Sequence, residues 1–200
     1  MKVPILSGSF NLFNMRSVKR KKAIVFIDGS NFYFRLKELT EDLKHISLLN
    51  FNYRKFSEWL CRDFELINVR YYVGAVRRKK NNFKSEEMYN NQQKLFRRLR
   101  KNKVNIIEGQ LIQHPDKIYH EKGVDVRIAV EMIRFARQNK YDTAVLVSSD
   151  NDLIPAVEEV FSFNKKVKYV CAVNRRSFLL SKAAGDYLVL KQKNIRKFLY

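Results

Sequence analysis

Four aspartates hold most of the chemistry that this chain can offer: Asp28, Asp125, Asp150 and Asp152. Asp150 and Asp152 stand two residues apart in Ser148-Ser149-Asp150-Asn151-Asp152, directly after the apolar run Ala144-Val145-Leu146-Val147. Asp28 follows Ala23-Ile24-Val25-Phe26-Ile27 in the same way and leads into Gly29-Ser30-Asn31. Short apolar, β-branched runs have the composition of strands buried on both faces. Acids just beyond them lie where open α/β sheets bind ligands and metals, outside the carboxyl ends of the strands. If these two strands are neighbours, Asp28, Asp150 and Asp152 converge on one edge. Asp125, which follows the Gly123 turn at the start of a helix, can face the same edge.

Taken singly, each acid has an ordinary structural explanation. Asp28 can close an Asx-turn, Asp125 suits a helix N-terminus, and Asp150 or Asp152 can cap the helix after it. Three or four together are different, because crowded carboxylates raise one another's pKa and destabilise the fold unless a cation compensates. Hard oxygen donors without a Cys or His cluster point to Mg²⁺ or Mn²⁺. The loop is not an EF-hand, since Asp150-x-Asp152 lacks the downstream glycine and glutamate. No Walker A loop, GxGxxG fingerprint or Gly-x-Ser-x-Gly elbow is present.

The elements that must position these acids alternate. Strands are predicted over 23–27, 66–76, 104–112, 143–147, 167–173 and 187–190. Helices are predicted from Ser30 or Asn31, as caps, through Leu39, then over 51–64, 85–101, 124–139, 153–163 and 177–184. Residues 113–122 read as a polar loop with His114 and His120, and Gly29 as the residue that permits a tight turn. Alternation of this kind predicts an α/β fold, a mostly parallel sheet covered on both faces. The chain divides into a basic leader over 1–22, one domain over 23–190 and a basic tail over 191–200.

The 40 Lys and Arg against 20 Asp and Glu leave a net charge of +20, which favours a polyanionic partner. No apolar run reaches the roughly 18 residues of a membrane span, so no membrane partner is expected. Cys61 and Cys171 lie in apolar patterns and read as small buried hydrophobes of a reducing, cytoplasmic compartment.

These residues also carry a family likeness. The chain resembles the NYN domains, the branch of the PIN-like nuclease superfamily that includes LabA-like proteins. The likeness runs from Phe26-Ile27-Asp28-Gly29-Ser30-Asn31 through Lys122-Gly123-Val124-Asp125-Val126 and Ser148-Ser149-Asp150-Asn151-Asp152. It continues to Ser177-Phe178-Leu179-Leu180 and Ala184-Gly185-Asp186-Tyr187, in the order of the family's I-D-G-x-N, K-x-V-D-V and S-G-D-x-D patterns. It implies a PIN-like αβα sandwich and metal-dependent cleavage of RNA that leaves 5′-phosphate and 3′-hydroxyl ends. Asp28, Asp125 and Asp150 fall on the family's metal-site positions, with Asp152 as the fourth acid, and Asn31 and Ser149 beside them. Ser149 stands where the pattern usually has glycine. Glu131 stands six residues after Asp125, where many relatives have aspartate; a rotation of about 120° away from Asp125 makes it auxiliary.

The expected activity is therefore phosphodiester hydrolysis assisted by one or two divalent ions, Mg²⁺ or Mn²⁺. The substrate expected is RNA, single-stranded for preference, held by Arg77, Arg78, Lys79 and Lys80. Further cations stand over 97–103, at Arg175 and Arg176, and in the tail. Phe83, Tyr89 and Tyr119 are candidate stacking rings. The sequence admits DNA as a second substrate and a homodimer as the assembly. The rival is a quiet PIN-like module that holds RNA or a protein without cutting, against which the intact acids argue. A phosphatase of the haloacid dehalogenase type ranks last, because Asp28 is followed two residues later by Ser30 rather than an acid.

Overall fold

The computed structural model describes residues 19–43, 47–78, 82–113 and 119–199. Most of the expected leader, together with Lys79, Lys80 and His114, lies outside these residues. The two apolar runs form β1 (Lys22–Asp28) and β5 (Thr143–Val147), and they are adjacent and parallel, with Ile27 opposite Val147. Around them stand β2 (Glu65–Ala75), β3 (Asn105–Gln113), β4 (Tyr119–Lys122), β6 (Lys166–Ala172) and β7 (Asp186–Leu190). The sheet order is β4-β3-β2-β1-β5-β6-β7, parallel throughout except for β4, which pairs antiparallel with β3.

Period-two alternation divides the core into two layers. Ala23, Val25 and Ile27 of β1 enter one layer, with α1 (Gly29–Leu39), α2 (Tyr53–Leu60) and α3 (Phe83–Lys101). Ile24 and Phe26 enter the other, with α4 (Val124–Arg137), α5 (Ile154–Ser162) and α6 (Phe178–Ala184). The result is an αβα sandwich. Tyr71 and Tyr72 are both fully buried because they point into opposite layers. Cys61 and Cys171 are buried free thiols, and burial pushes the Cys61 thiol up to about 12. Among the described residues no helix is long and apolar enough to cross a membrane.

From β1 the chain steps outward through β2 and β3, and from β5 it steps the other way through β6 and β7. The β1/β5 junction is therefore the topological switch point, whose carboxyl edge forms a crevice. The aspartates that follow these strands flank it.

Three expectations need correction. Part of the predicted polar loop over 113–122 is the strand β4, which pairs Leu111 with Glu121. Four residues, Tyr-His-Glu-Lys, at a sheet edge need no apolar alternation, so periodicity has nothing to register. The cap of α1 is Asp28 rather than Ser30 or Asn31: its carboxylate accepts from the Asn31 N–H at 3.0 Å. Gly29 is helical, and what it permits is close packing; a Cβ there would lie 2.5 Å from the Tyr71 ring and 2.6 Å from the Tyr72 carbonyl oxygen.

The segment after β7, a basic tail for which a helix is one of the expectations, forms α7 (Gln192–Ile195) and one further turn. Ile195, Phe198 and Leu199 are buried in the α1–α3 layer, and the Phe198 carbonyl accepts from the Asn52 N–H at 2.7 Å. Its lysines and arginine face solvent while its apolar residues dock.

Candidate active site

Asp28 closes β1 with the parity of Ile24 and Phe26, so it faces the layer that contains α4. It is 4% exposed. One oxygen accepts from the Asn31 N–H and the other from the Ser148 hydroxyl, both at 3.0 Å. These bonds favour the ionised form, yet burial and the charges of Asp125 and Glu121 outweigh them. The carboxyl is pushed up to about 7. Ser148 also accepts from the Asp150 N–H at 3.2 Å, so one buried hydroxyl ties the end of β1 to the turn after β5. The Ser149 hydroxyl makes a parallel tie, donating to Asn31 Oδ1 at 2.9 Å.

Asp125 sits in the first turn of α4, after Gly123, whose φ of 77° lies in the left-handed region that glycine alone enters freely. The turn delivers Asp125 toward the same edge. Burial, followed by the charges of Asp150 and Asp152, raises its pKa. Asp150 Oδ1 accepts from the Asp152 N–H at 2.9 Å, closing the turn before α5. Asp152 is exposed and reaches Asp125 only through its field.

A further acid, Glu121, joins the group and was not among the sequence candidates. Its carboxylate accepts from the Gly74 N–H and from Ser30, which links β4 to β2 and to α1. Burial, and then the negative charge of Asp125, raises its pKa. The only trace of it in the sequence is its place four residues before Asp125. Nothing marks that position until the β3–β4 pairing folds it inward.

Glu131 has other partners. Its carboxylate pairs with Arg70 at 2.7 Å and accepts from the Tyr72 hydroxyl at 2.6 Å. The Arg70 guanidinium also lies 5.0 Å from the Phe135 ring centre. Six residues beyond Asp125, it sits roughly 9 Å further along the helix axis.

The cations divide between two sides. Arg77 and Arg78 follow the carboxyl end of β2, one strand from Asp28, and Arg78 is paired with Glu86. On the other side an open cleft is lined by Asn31, Arg35, Ser149, Asp150, Arg175 and Arg176. Arg35 was not a sequence candidate; helical spacing from Asn31 is what brings it there.

The donor set suits a hard divalent cation. It is all oxygen, it gathers like charges, and burial first, then neighbouring carboxylates, raise the pKa of the two most enclosed acids, Asp28 and Glu121. Among the described residues, no three His, Cys, Asp or Glu side chains stand close enough together to hold a metal ion as they lie.

Comparison with known proteins bears on the family and the fold. The family model for the NYN domain matches residues 22–191. A crystal structure of a protein of unknown function from Vibrio parahaemolyticus shares the fold, with a TM-score of 0.63 at 24% identity. That similarity covers 88% of this chain and 97% of the Vibrio chain. No curated protein matches the sequence. The matched span takes in every strand from β1 to β7 and all the candidate acids, and the chain belongs to the NYN domain family of the PIN-like nuclease superfamily.

Proposed function

We propose that this protein is a divalent-metal-dependent endoribonuclease acting on single-stranded RNA. The observation that supports it most is the delivery of Asp28, Asp125 and Asp150 by β1, α4 and the turn after β5 to the switch-point edge, with arginines on either side. Asp28, Asp125 and Asp150 would hold Mg²⁺ or Mn²⁺, with Asp152 and Glu121 adding negative field. When bound, such an ion supplies an acidified water and offsets charge on the phosphoryl group.

The chain's own residues do the rest. Ser148 and the Asn31 N–H fix both oxygens of Asp28, so that carboxylate is oriented before substrate arrives. Asn31 and Ser149 hold each other at the mouth of the cleft, where their polar groups can meet substrate oxygens. Asp152, at the exposed end of the turn, would position the attacking water or a second ion. Glu131, through Arg70 and Tyr72, would stiffen the α4–β2 contact and so act on the acids indirectly.

The direct test is cleavage of labelled single-stranded RNA, duplex RNA and single-stranded DNA, with Mg²⁺, Mn²⁺ or EDTA, beside Asp150→Asn. Metal-dependent cutting of the single-stranded RNA is expected, with a loss of about a hundred-fold or more in the variant. Salt-sensitive binding without cutting would point to a module that only holds RNA. Equal activity in both proteins would contradict the assignment.

A further inference from the structure

We infer that Arg35, Arg175 and Arg176 form a subsite for a phosphate flanking the scissile one, and that the strand it receives is single. The word scissile rests on the nuclease reading of the neighbouring acids; the phosphate subsite itself does not. Three guanidinium groups share one open cleft with Asp150, Asn31 and Ser149. Carboxylates repel a phosphodiester chain, so a strand reaching them needs cations alongside, and the planar guanidinium fork matches phosphate oxygens.

The three arginines come from two elements. Arg35 lies on α1, one turn after Asn31, and Arg175 and Arg176 lie in the connection from β6 to α6. Glu38 spans them, 2.6 Å from Arg35 and 3.4 Å from Arg175. One carboxylate shared by two guanidinium groups leaves positive charge in excess. Arg35 Nε is buried and has no hydrogen-bond partner among the described residues. Arg176 is steadied by Tyr187, lying 5.2 Å from the ring centre and donating to the hydroxyl at 3.2 Å. Its other N–H groups remain available to a ligand.

Two exposed rings next in the chain to cleft residues favour unpaired bases. Phe34 is 56% exposed and Phe178 is 69% exposed, and they adjoin Arg35 and the cleft residue Ser177 in the chain. Core packing does not account for either ring. Bases of a single strand can stack on such rings, whereas the faces of paired bases are already stacked. On the β2 side Arg78 has a carboxylate of its own, Glu86, whereas Arg35 and Arg175 share one, Glu38.

The test is fluorescence anisotropy of a labelled twelve-nucleotide RNA in EDTA across a salt series. Wild type is compared with Arg175→Ala/Arg176→Ala and with Lys140→Ala/Lys166→Ala, an equal loss of charge at the amino edge of the sheet. The arginine pair is expected to weaken binding about ten-fold or more at low salt. It should also reduce the slope of log K against log salt by about 0.7, the value for one single-strand phosphate. The lysine pair should leave both nearly unchanged. Phe178→Ala should weaken the single strand by about five-fold or more and a duplex hardly at all.

Wild-type affinity and slope in the arginine variant would overturn the subsite, as would a loss confined to Arg77→Ala/Arg78→Ala. A wild type that binds no RNA, or prefers duplex, would overturn it equally. Because EDTA removes cutting from the readout, the two readings separate. Normal cleavage and KM in the arginine variant would sink the subsite and leave the nuclease standing. Specific loss of binding in a protein that never cuts would do the reverse.

Discussion

Asp28→Asn is expected to lower the cleavage rate on the order of a thousand-fold or more, about 4 kcal/mol of transition-state stabilisation. In the same variant, the metal-free protein at pH 8 is expected to melt higher than wild type, by about 2 to 8 °C. Both outcomes come from one buried carboxyl. In the fold its pKa stands near 7, against 3.8 for the free group, chiefly because burial opposes the charge. Between those values the folded protein keeps a proton that the unfolded chain has lost, so stability falls as pH rises. The group's contribution is complete below about 3.8 and gone once pH passes 7.

Asparagine stays neutral and can still accept from the Asn31 N–H, which preserves the helix cap. The gap between variant and wild type should therefore be absent near pH 4, open through pH 7 and be full at pH 8. Adding Mn²⁺ should close it by raising wild type alone. Thermal melts at pH 4, 6 and 8, with EDTA and with Mn²⁺, read all of this. A variant less stable than wild type at pH 8 in EDTA would mean that the lost bonds, rather than the buried charge, govern this position.

Gly29→Ala separates two effects of opposite sign. Alanine is the better helix former by up to about 1 kcal/mol, so propensity alone predicts a gain. The added Cβ, however, would stand 2.5 Å from two Tyr71 ring carbons and 2.6 Å from the Tyr72 carbonyl oxygen. Tyr71 is fully buried, and the carbonyl belongs to β2, which is hydrogen-bonded on both sides. Neither neighbour can give way cheaply.

We expect a net loss of about 2 to 3 kcal/mol, read from urea unfolding at unchanged m-value. Cleavage should fall as well, because α1 can relieve the contact only by carrying Asp28, Ser30 and Asn31 outward. An alanine variant as stable as wild type would show that α1 is free to shift and that the close approach is not needed.

Much of this site was legible in the sequence, and the parts that were not share a cause. The buried strands announce themselves because β1 and β5 are apolar on both faces, and Asp28 and Asp150 are conspicuous as the acids where those runs stop. Glu121 was hidden because β4 is a short polar edge strand, whose position depends on pairing with β3 rather than on any periodicity of its own. Ser148 shows its double role only when the register sets it beside Asp28.

Nothing in the sequence sets Arg35 apart from the other cations; the cleft does, by giving it Arg175 and Arg176 as neighbours. The end of the chain is a related case. Lys191, Lys193, Arg196 and Lys197 dominate its composition, while Ile195, Phe198 and Leu199 decide where it goes. Local pattern reports elements; long-range pairing decides which side chains meet.

Everything chemical at this edge turns on whether a divalent cation joins Asp28, Asp125 and Asp150. Electron paramagnetic resonance of Mn²⁺ titrated with wild type and with Asp125→Asn measures this without substrate. In wild type the signal of free Mn²⁺ should fall as the ion is taken up, and in the variant most of it should return. An undiminished signal with wild type, or equal uptake by both proteins, would contradict the metal site.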